Sequence, residues 1–473
     1  MGKVFVLGLD GMPPMLAFNK WEKHMPNLNK LIKNGCHGEM QTTIPPSTIV
    51  AWSAFCSGRD AGELDVYAYT HQTKKNSHKR KFSDSTCKKK PMIWDELTKQ
   101  KKRSIVLNVP LTYPSSKLNG KMVTDFLTPE INDKCCYPSF FKKNLKKFYK
   151  GKDYMFDVGE FTEYKRLTEE ILMKKTFEMT EMHFKLLFDL IEKEKWDFFI
   201  TEIIGTDRLL HLFWHYIDVK HLLYKKNKRK EKELINFFKY VDNQIGKIRK
   251  SLPEDAYFIV ASDHGMDRMD GKINVNDWLI KEGYLALTEE FNEKIKKEGP
   301  QKIKLHGIDW SKTKAYCIGS YQGRLHINLK RRDKNGIIAK KDFNNIRNEI
   351  ANKMRKIKGV NGRKLKNYFF KPEKIYKNGF GWRSPDMIVY FDNLIYGTND
   401  EVGHNSLYVK EKTLVGKTYA GHSPKGIFAI EGKGIKKKNL KNLNILDMAP
   451  TIYNLLEAKA PKNLQGKKLN LFK

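Results

Sequence analysis

Three short, strongly apolar stretches of this chain each run out onto an aspartate. Val4–Leu9 is followed by Asp10, Asp197–Ile204 by Asp207, and Ala256–Ala261 by Asp263. Runs of this length without polar alternation are what strands buried on both faces require. Ser104–Val109 is a fourth run of the same type. Helical patterns lie between them. Asn27–Ile32 is stopped by Gly35, and a short helix starts near Thr48 and ends by Gly58. A long pattern covers residues 130–190, clearest over Leu167–Lys195, and Leu234–Leu252 carries Phe237, Tyr240, Val241 and Ile245 at helical spacing. Doubly buried strands alternating with helices predict an α/β fold, a mainly parallel sheet flanked by helices.

The texture changes over residues 281–399, which are rich in Lys and turn residues. Leu325–Leu329 and Met387–Phe391 read as strands there, and Asp342–Ile357 as a helix. Gly426–Ile430 returns to a core-type strand and Ile445–Leu456 to a closing helix. The expected organisation is a catalytic core formed by 1–280 and 400–473, with 281–399 inserted as a smaller cap-like region. At 473 residues the chain is long enough for one elaborated domain or two.

Open parallel sheets place their sites at the carboxyl ends of strands, which is where Asp10, Asp207 and Asp263 fall. Asp207 and His211 are four residues apart, so on a helix they share a face. Asp263-His264-Gly265 leaves its strand as a turn, and Asp10-Gly11 does the same. Taken singly, each of these reads equally well as an amphipathic pair or an ordinary turn. His422 precedes Ser423-Pro424-Lys425 on an expected loop, with His404 as its rival. Together Asp10, Asp207, Asp263, His211, His264 and His422 supply three carboxylates and three imidazoles, enough to hold two divalent ions. Mixed Asp/His donors suit Zn²⁺ or Mn²⁺ better than Ca²⁺, and two such ions would clamp the attacking and leaving oxygens of an in-line phosphoryl transfer. Thr48, in Pro45-Pro46-Ser47-Thr48, stands at a helix start. A hydroxyl there is ordinarily a cap. The same place favours phosphate binding and makes Thr48 a nucleophile candidate, with Ser47 as the alternative.

Composition narrows the partners. The formal net charge is +35, mostly from Lys, concentrated around Lys74–Lys90 and Lys225–Lys232. Such runs are either solvated surface or a field that attracts phosphate-bearing molecules or anionic membrane. Aromatics are not interleaved with them in a nucleic-acid pattern, so no specific nucleic-acid partner is expected. No apolar run is long enough to cross a bilayer, and Met1–Asp10 reads as a strand rather than a signal peptide. Six cysteines without CxxC spacing point to reduced thiols and a cytoplasmic protein.

The ordered set Asp10, Thr48, Asp207-x-x-x-His211, Asp263-His264-Gly265 and His422 resembles the alkaline phosphatase superfamily. Its nearest branch is similar to the type I phosphodiesterase/nucleotide pyrophosphatase group in its microbial cytosolic form. Further matching segments are Ala51-Trp52 with Ser57-Gly58, Thr206-Asp207-Arg208 through Phe213-Trp214, Val260–Gly265, and Asp447-Met448-Ala449-Pro450-Thr451. The resemblance implies an alkaline-phosphatase-like fold. It implies one metal held by Asp207, His211 and His422, and a second by Asp10, Asp263 and His264. Thr48 would bridge toward both and form a covalent phospho-enzyme. Gly58–Asp65 lacks the Pro and second Gly of the family pattern, which bears on the substrate rim. Cys56-Ser57-Gly58-Arg59 lacks the Pro a sulfatase needs. The expected activity is metal-dependent hydrolysis of a small phosphorylated substrate: a nucleotide, a sugar-nucleotide or a lipid-linked phosphate. The competing readings are a phosphomonoesterase or phosphomutase on the same core, where Arg324 would supply charge, and a non-catalytic basic binding protein.

Overall fold

Five strands run parallel through the middle of one large sheet, in the order Ala256–Ala261, Lys3–Leu9, Phe198–Ile203, Ser104–Leu107 and Gly120–Val123. The first four are the apolar runs of the sequence, and nearly all of their side chains are buried; Gly120–Val123, fully buried over only half its length, carried no such run. Beyond Ala256–Ala261 the sheet continues with Lys425–Glu431 and Cys36–Gln41, both antiparallel to their inner neighbours, and then with Lys438–Asn439. Cys136–Tyr137 closes the opposite edge. The computed structural model describes residues 2–159, 167–303, 305–360, 362–409 and 418–472.

Helices cover both faces. Phe5, Leu7, Leu9, Phe199, Ile203 and Val260 point to one side, where they pack with residues of the helices Pro26–Asn34, Glu169–Lys193 and Lys228–Ser251. Val4, Val6, Phe198, Ile200 and Ile259 point to the other, against the helices Thr48–Ser57, Ile93–Lys99 and Met448–Leu455. The alternation follows from the period of two along each strand. Every residue of Thr48–Ser57 is buried, as expected of a helix apolar on all sides. It ends at Gly58, whose positive φ of 66° supplies the left-handed cap.

A second apolar cluster is built around a separate four-stranded antiparallel sheet, in the order Ala315–Ile318, Gly323–Ile327, Met387–Tyr390 and Tyr368–Phe370. The helix Phe343–Met354 packs into this cluster. Among the described residues no helix is long and apolar enough to cross a membrane.

Two local expectations change. The helical pattern over 130–190 resolves into Phe141–Phe148 and Glu169–Lys193, with the short strand Cys136–Tyr137 before them. Residues 160–166 of that stretch lie outside the described residues. Pro138 and Gly151 interrupt what the Lys-rich composition makes look continuous. His422, expected on a loop, lies on the strand Ala420–Ser423, which pairs antiparallel with Gly265–Arg268.

The central strand is tightly fitted to the buried helix. A Cβ on Gly8 would lie 2.4 Å from the Trp52 ring. Gly8→Ala should therefore lower the unfolding free energy by about 1–3 kcal/mol through overpacking. Urea denaturation would measure this; an unchanged midpoint would mean that Trp52 has room to move.

Candidate active site

The three central strands end level. Leu9 pairs with Ile203, and Gly8 with both Glu202 and Ala261. The residues that follow, Asp10, Asp207 and Asp263, therefore emerge side by side. The chain turns at Asp10 because Gly11 takes a φ of 68°. Asp207 sits in the first turn of the helix Gly205–Ile217, and His211 one turn on. The His211 Nε2 lies 3.3 Å from Asp207 Oδ1, so the spacing of four residues does place them together. His422 arrives from the Ala420–Ser423 strand, its Nε2 3.2 Å from that of His211 and 3.6 Å from Asp207 Oδ1. The His264 Nε2 lies 3.2 Å from Asp263 Oδ2 and 3.7 Å from Asp10 Oδ1. The rings of His264 and His422 stack with centroids 3.7 Å apart.

Each acid is held by one oxygen and left open at the other. Asp10 Oδ2 accepts from the Trp52 indole at 2.8 Å, Asp263 Oδ1 from the Gly11 amide at 3.3 Å, and Asp207 Oδ2 from Arg208 at 3.0 Å. The remaining oxygens, Asp10 Oδ1, Asp263 Oδ2 and Asp207 Oδ1, are buried without a hydrogen-bond donor. Each imidazole is likewise held at Nδ1 by a backbone carbonyl: His211 by Ala420 at 2.7 Å, His422 by Pro46 at 2.7 Å and His264 by Gly265 at 3.0 Å. A carbonyl only accepts, so each Nδ1 carries the proton and each Nε2 presents a lone pair.

The electrostatics agree. Burial, and then the Asp207 charge, push the Asp10 carboxyl well above the usual carboxylate range. Burial, and then Asp10, do the same to Asp263. Burial would also raise Asp207, but the neighbouring His211 and Arg208 outweigh it and hold its carboxyl below the usual range. Burial lowers His264 to about 4 and His422 well below its ordinary value, so both rings are neutral at pH 7. Acidic oxygens facing one another beside neutral ring nitrogens form a donor set in need of positive charge. Asp10, Asp263 and His264 form one group able to hold a cation, and Asp207, His264 and His422 another; the ligand atoms within each lie within 4.8 Å of one another. His264 belongs to both.

Thr48 is the first residue of its helix, and its Oγ1 lies 3.2 Å from the His264 Nε2. Ser47 takes the cap position without a side-chain cap bond. His404 is placed elsewhere, its Nε2 bonded to Glu401 at 2.9 Å and Asn399 at 3.1 Å.

Several residues here carried no sequence signal. The Tyr69 hydroxyl faces Thr48. Tyr321 stacks on His422 at 4.7 Å and on His211 at 5.2 Å. Both lie in loops, where no periodicity marks them. Glu202 is fully buried and unpartnered, and burial followed by Asp10 and Asp263 pushes its carboxyl well above the usual range. Trp52 was findable, being one helical turn after Thr48. Asp157 clasps Arg208 from two sides, at 2.7 and 3.1 Å, and so steadies the partner of Asp207.

Acids and histidines gathered beyond the carboxyl ends of a mainly parallel sheet, with a hydroxyl on a helix start beside them, are the arrangement that the resemblance to the alkaline phosphatase superfamily implies. Within it, the chain belongs to the type I phosphodiesterase / nucleotide pyrophosphatase family, whose model matches residues 4–417. Murine ectonucleotide pyrophosphatase/phosphodiesterase 5 shares the fold, both in its plain form and as an inactive threonine-to-alanine variant in complex with AMP. The TM-score is 0.55 at 13% identity, covering 98% of this chain and 97% of that one. The human counterpart matches with the same score and identity over 96% of its length. No curated protein matches by sequence.

In ¹⁵N-resolved spectra of the chelator-treated protein at pH 7, His211, His264 and His422 should all give the Nδ1–H tautomer pattern. An Nε2–H pattern from any of them would remove that ring from the converging set.

Proposed function

We propose that this chain is a two-metal phosphodiesterase or nucleotide pyrophosphatase acting through a covalent phospho-threonine on Thr48. The observation that carries this reading is the convergence of three unpartnered carboxylate oxygens and three Nε2 lone pairs around the Thr48 hydroxyl. Asp207, His211 and His422 would hold one divalent ion and Asp10, Asp263 and His264 the other, Zn²⁺ in preference to Mn²⁺ for this donor set. Bound there, the ions would supply the positive charge that phosphoryl transfer needs.

The chain's own residues do the positioning. Thr48 gives up its hydroxyl proton to solvent as Oγ forms the bond to phosphorus. The alcohol or phosphate arm departs from the opposite face with the electron pair of the broken P–O bond, taking up a proton from water. A second water then cleaves the phospho-threonine, releasing the phosphate product and restoring the hydroxyl. The backbone bonds of this helix begin with the Val50 and Ala51 amides on Ser47, so the earlier amides and the helix dipole are directed at the phosphoryl oxygens. Tyr69, which faces Thr48, narrows the room around its hydroxyl. Tyr321 covers the two imidazoles and limits water access. The region 281–399 serves as the cap over this centre, and a nucleotide or another small phosphodiester is the substrate class.

Thr48→Ala should reduce turnover of bis-p-nitrophenyl phosphate by about a thousandfold or more, whereas Ser47→Ala should retain it within a few-fold. Equal activity of Thr48→Ala and the native chain would remove Thr48 from the mechanism. A strong preference for p-nitrophenyl phosphate over the diester would favour the monoesterase alternative. Elemental analysis should find two divalent ions in the native chain and in His404→Ala, and fewer in His422→Ala. A metal content unaffected by the loss of His422 would break the proposed ligand set.

A further inference from the structure

Alternate residues of the strand Gly323–Ile327 face opposite ways. Leu325 and Ile327 enter the apolar cluster of the small sheet, which leaves Arg324 and His326 on its other face. On that side, Ile388 and Tyr390 of the adjoining strand pack with Ile44, just ahead of the Pro45-Pro46 approach to Thr48. Over it lies the hairpin Thr70–Gln72/Arg80–Phe82, tied down by the Asn76 amide on the Arg332 carbonyl at 3.3 Å and by His78 stacked on Trp310 at 3.7 Å. The hairpin contributes Arg80, whose guanidinium is held by the Thr70 carbonyl at 2.7 Å and the Thr70 hydroxyl at 3.3 Å.

Arg80, Arg324 and His326 crowd together without a balancing acid. After burial, Arg80 is the strongest influence on both Arg324 and His326. It helps hold the Arg324 guanidinium down to about 10 and His326 well below its ordinary value. The acids in the neighbourhood are already matched: Asp333 and Asp386 hold Arg332 at 2.8 and 2.6 Å, and Asp400 holds Lys302 at 3.4 Å. Among the described residues, no carboxylate lies within ion-pair distance of Arg80 or Arg324. The Arg324 Nε and the His326 Nε2 are buried without partners. A guanidinium nitrogen buried without an acceptor is costly unless a ligand supplies one together with the opposite charge.

The cluster is anchored to the candidate active site at two points. Thr70, which holds Arg80, adjoins Tyr69, whose hydroxyl faces Thr48. Arg324 follows Tyr321 by three residues, and its Nη1 folds back to within 3.5 Å of the position a Cβ on Gly319 would take. Three residues of chain separate the two Cα atoms by at most ~10 Å, which keeps Arg324 on the same side of the molecule as the imidazole-stacking tyrosine.

We propose that Arg80 and Arg324, with His326 beside them, form a second anion subsite, which binds a further phosphoryl group carried by the substrate. This rests on the proposed function and narrows its substrate class to phosphodiesters or pyrophosphates bearing an additional phosphate.

Calorimetric titration of the full chain with thymidine 3′,5′-bisphosphate and with thymidine 5′-monophosphate tests it. The native protein should bind the bisphosphate at least tenfold more tightly. The ratio should fall toward one in Arg80→Gln and Arg324→Gln, and Arg324→Lys should keep part of it. Because the readout is a ratio within each protein, a general loss of stability does not imitate the result. Equal affinities in the native chain, or a ratio that survives both Gln variants, would overturn the subsite. Diester turnover is read separately: no turnover with the ratio intact would sink the proposed reaction and spare the subsite.

Discussion

Four carboxyl groups, from Asp10, Glu202, Asp207 and Asp263, are buried together where three neighbouring strands of the sheet end. Like charges at such separations repel strongly in a medium that screens poorly, and the surroundings are arranged around that repulsion. Burial and mutual repulsion hold Asp10, Asp263 and Glu202 toward their neutral forms. Asp207 alone is pulled the other way, by His211 and Arg208. Trp52, the Gly11 amide and Arg208 each satisfy one oxygen and leave its twin facing inward. A protein that needed only stability would not collect these groups, since a buried acid without a counter-charge is among the most costly things a core can contain.

The scaffold makes such a concentration tolerable by being rigid around it. The Lys3–Leu9 strand is paired on both sides, and the helix that presents Thr48 is buried along its whole length. Gly8 lets the Trp52 ring lie against the strand, and the same indole then reaches Asp10. One glycine thus couples the fit of sheet on helix to the orientation of an acid. The small sheet adds the opposite wall, through Tyr321 at the turn between two of its strands.

Much of this was legible in the chain, for identifiable reasons. Asp10 and Asp263 could be located because doubly buried strands are written as unbroken apolar runs, and a run shows where it stops. Asp207 and His211 could be paired because helical spacing carries information about faces. His422 was harder. Its strand is four residues long and forms only by pairing with Gly265–Arg268, a partner more than 150 residues earlier that no local pattern announces. The apparent helix over 130–140 failed because Cys136–Tyr137 pairs into the sheet edge, a contact with Met122 and Val123 that helical spacing does not encode. Tyr69, Tyr321 and the meeting of Arg80 with Arg324 depend on how distant loops and strands come together, which periodicity does not encode. The 13% identity to the murine and human structures makes the same point: the path of the backbone persists where most side chains do not.

The three imidazoles are oriented by the carbonyls of Ala420, Pro46 and Gly265. A carbonyl belongs to the main chain, so no single substitution can delete it. Had carboxylate side chains held these rings, as is common around histidines of this kind, each would have been a separate target for mutational drift. Here the aim of the histidines is inherited from the course of the backbone, and sequence divergence can proceed around the site without loosening it.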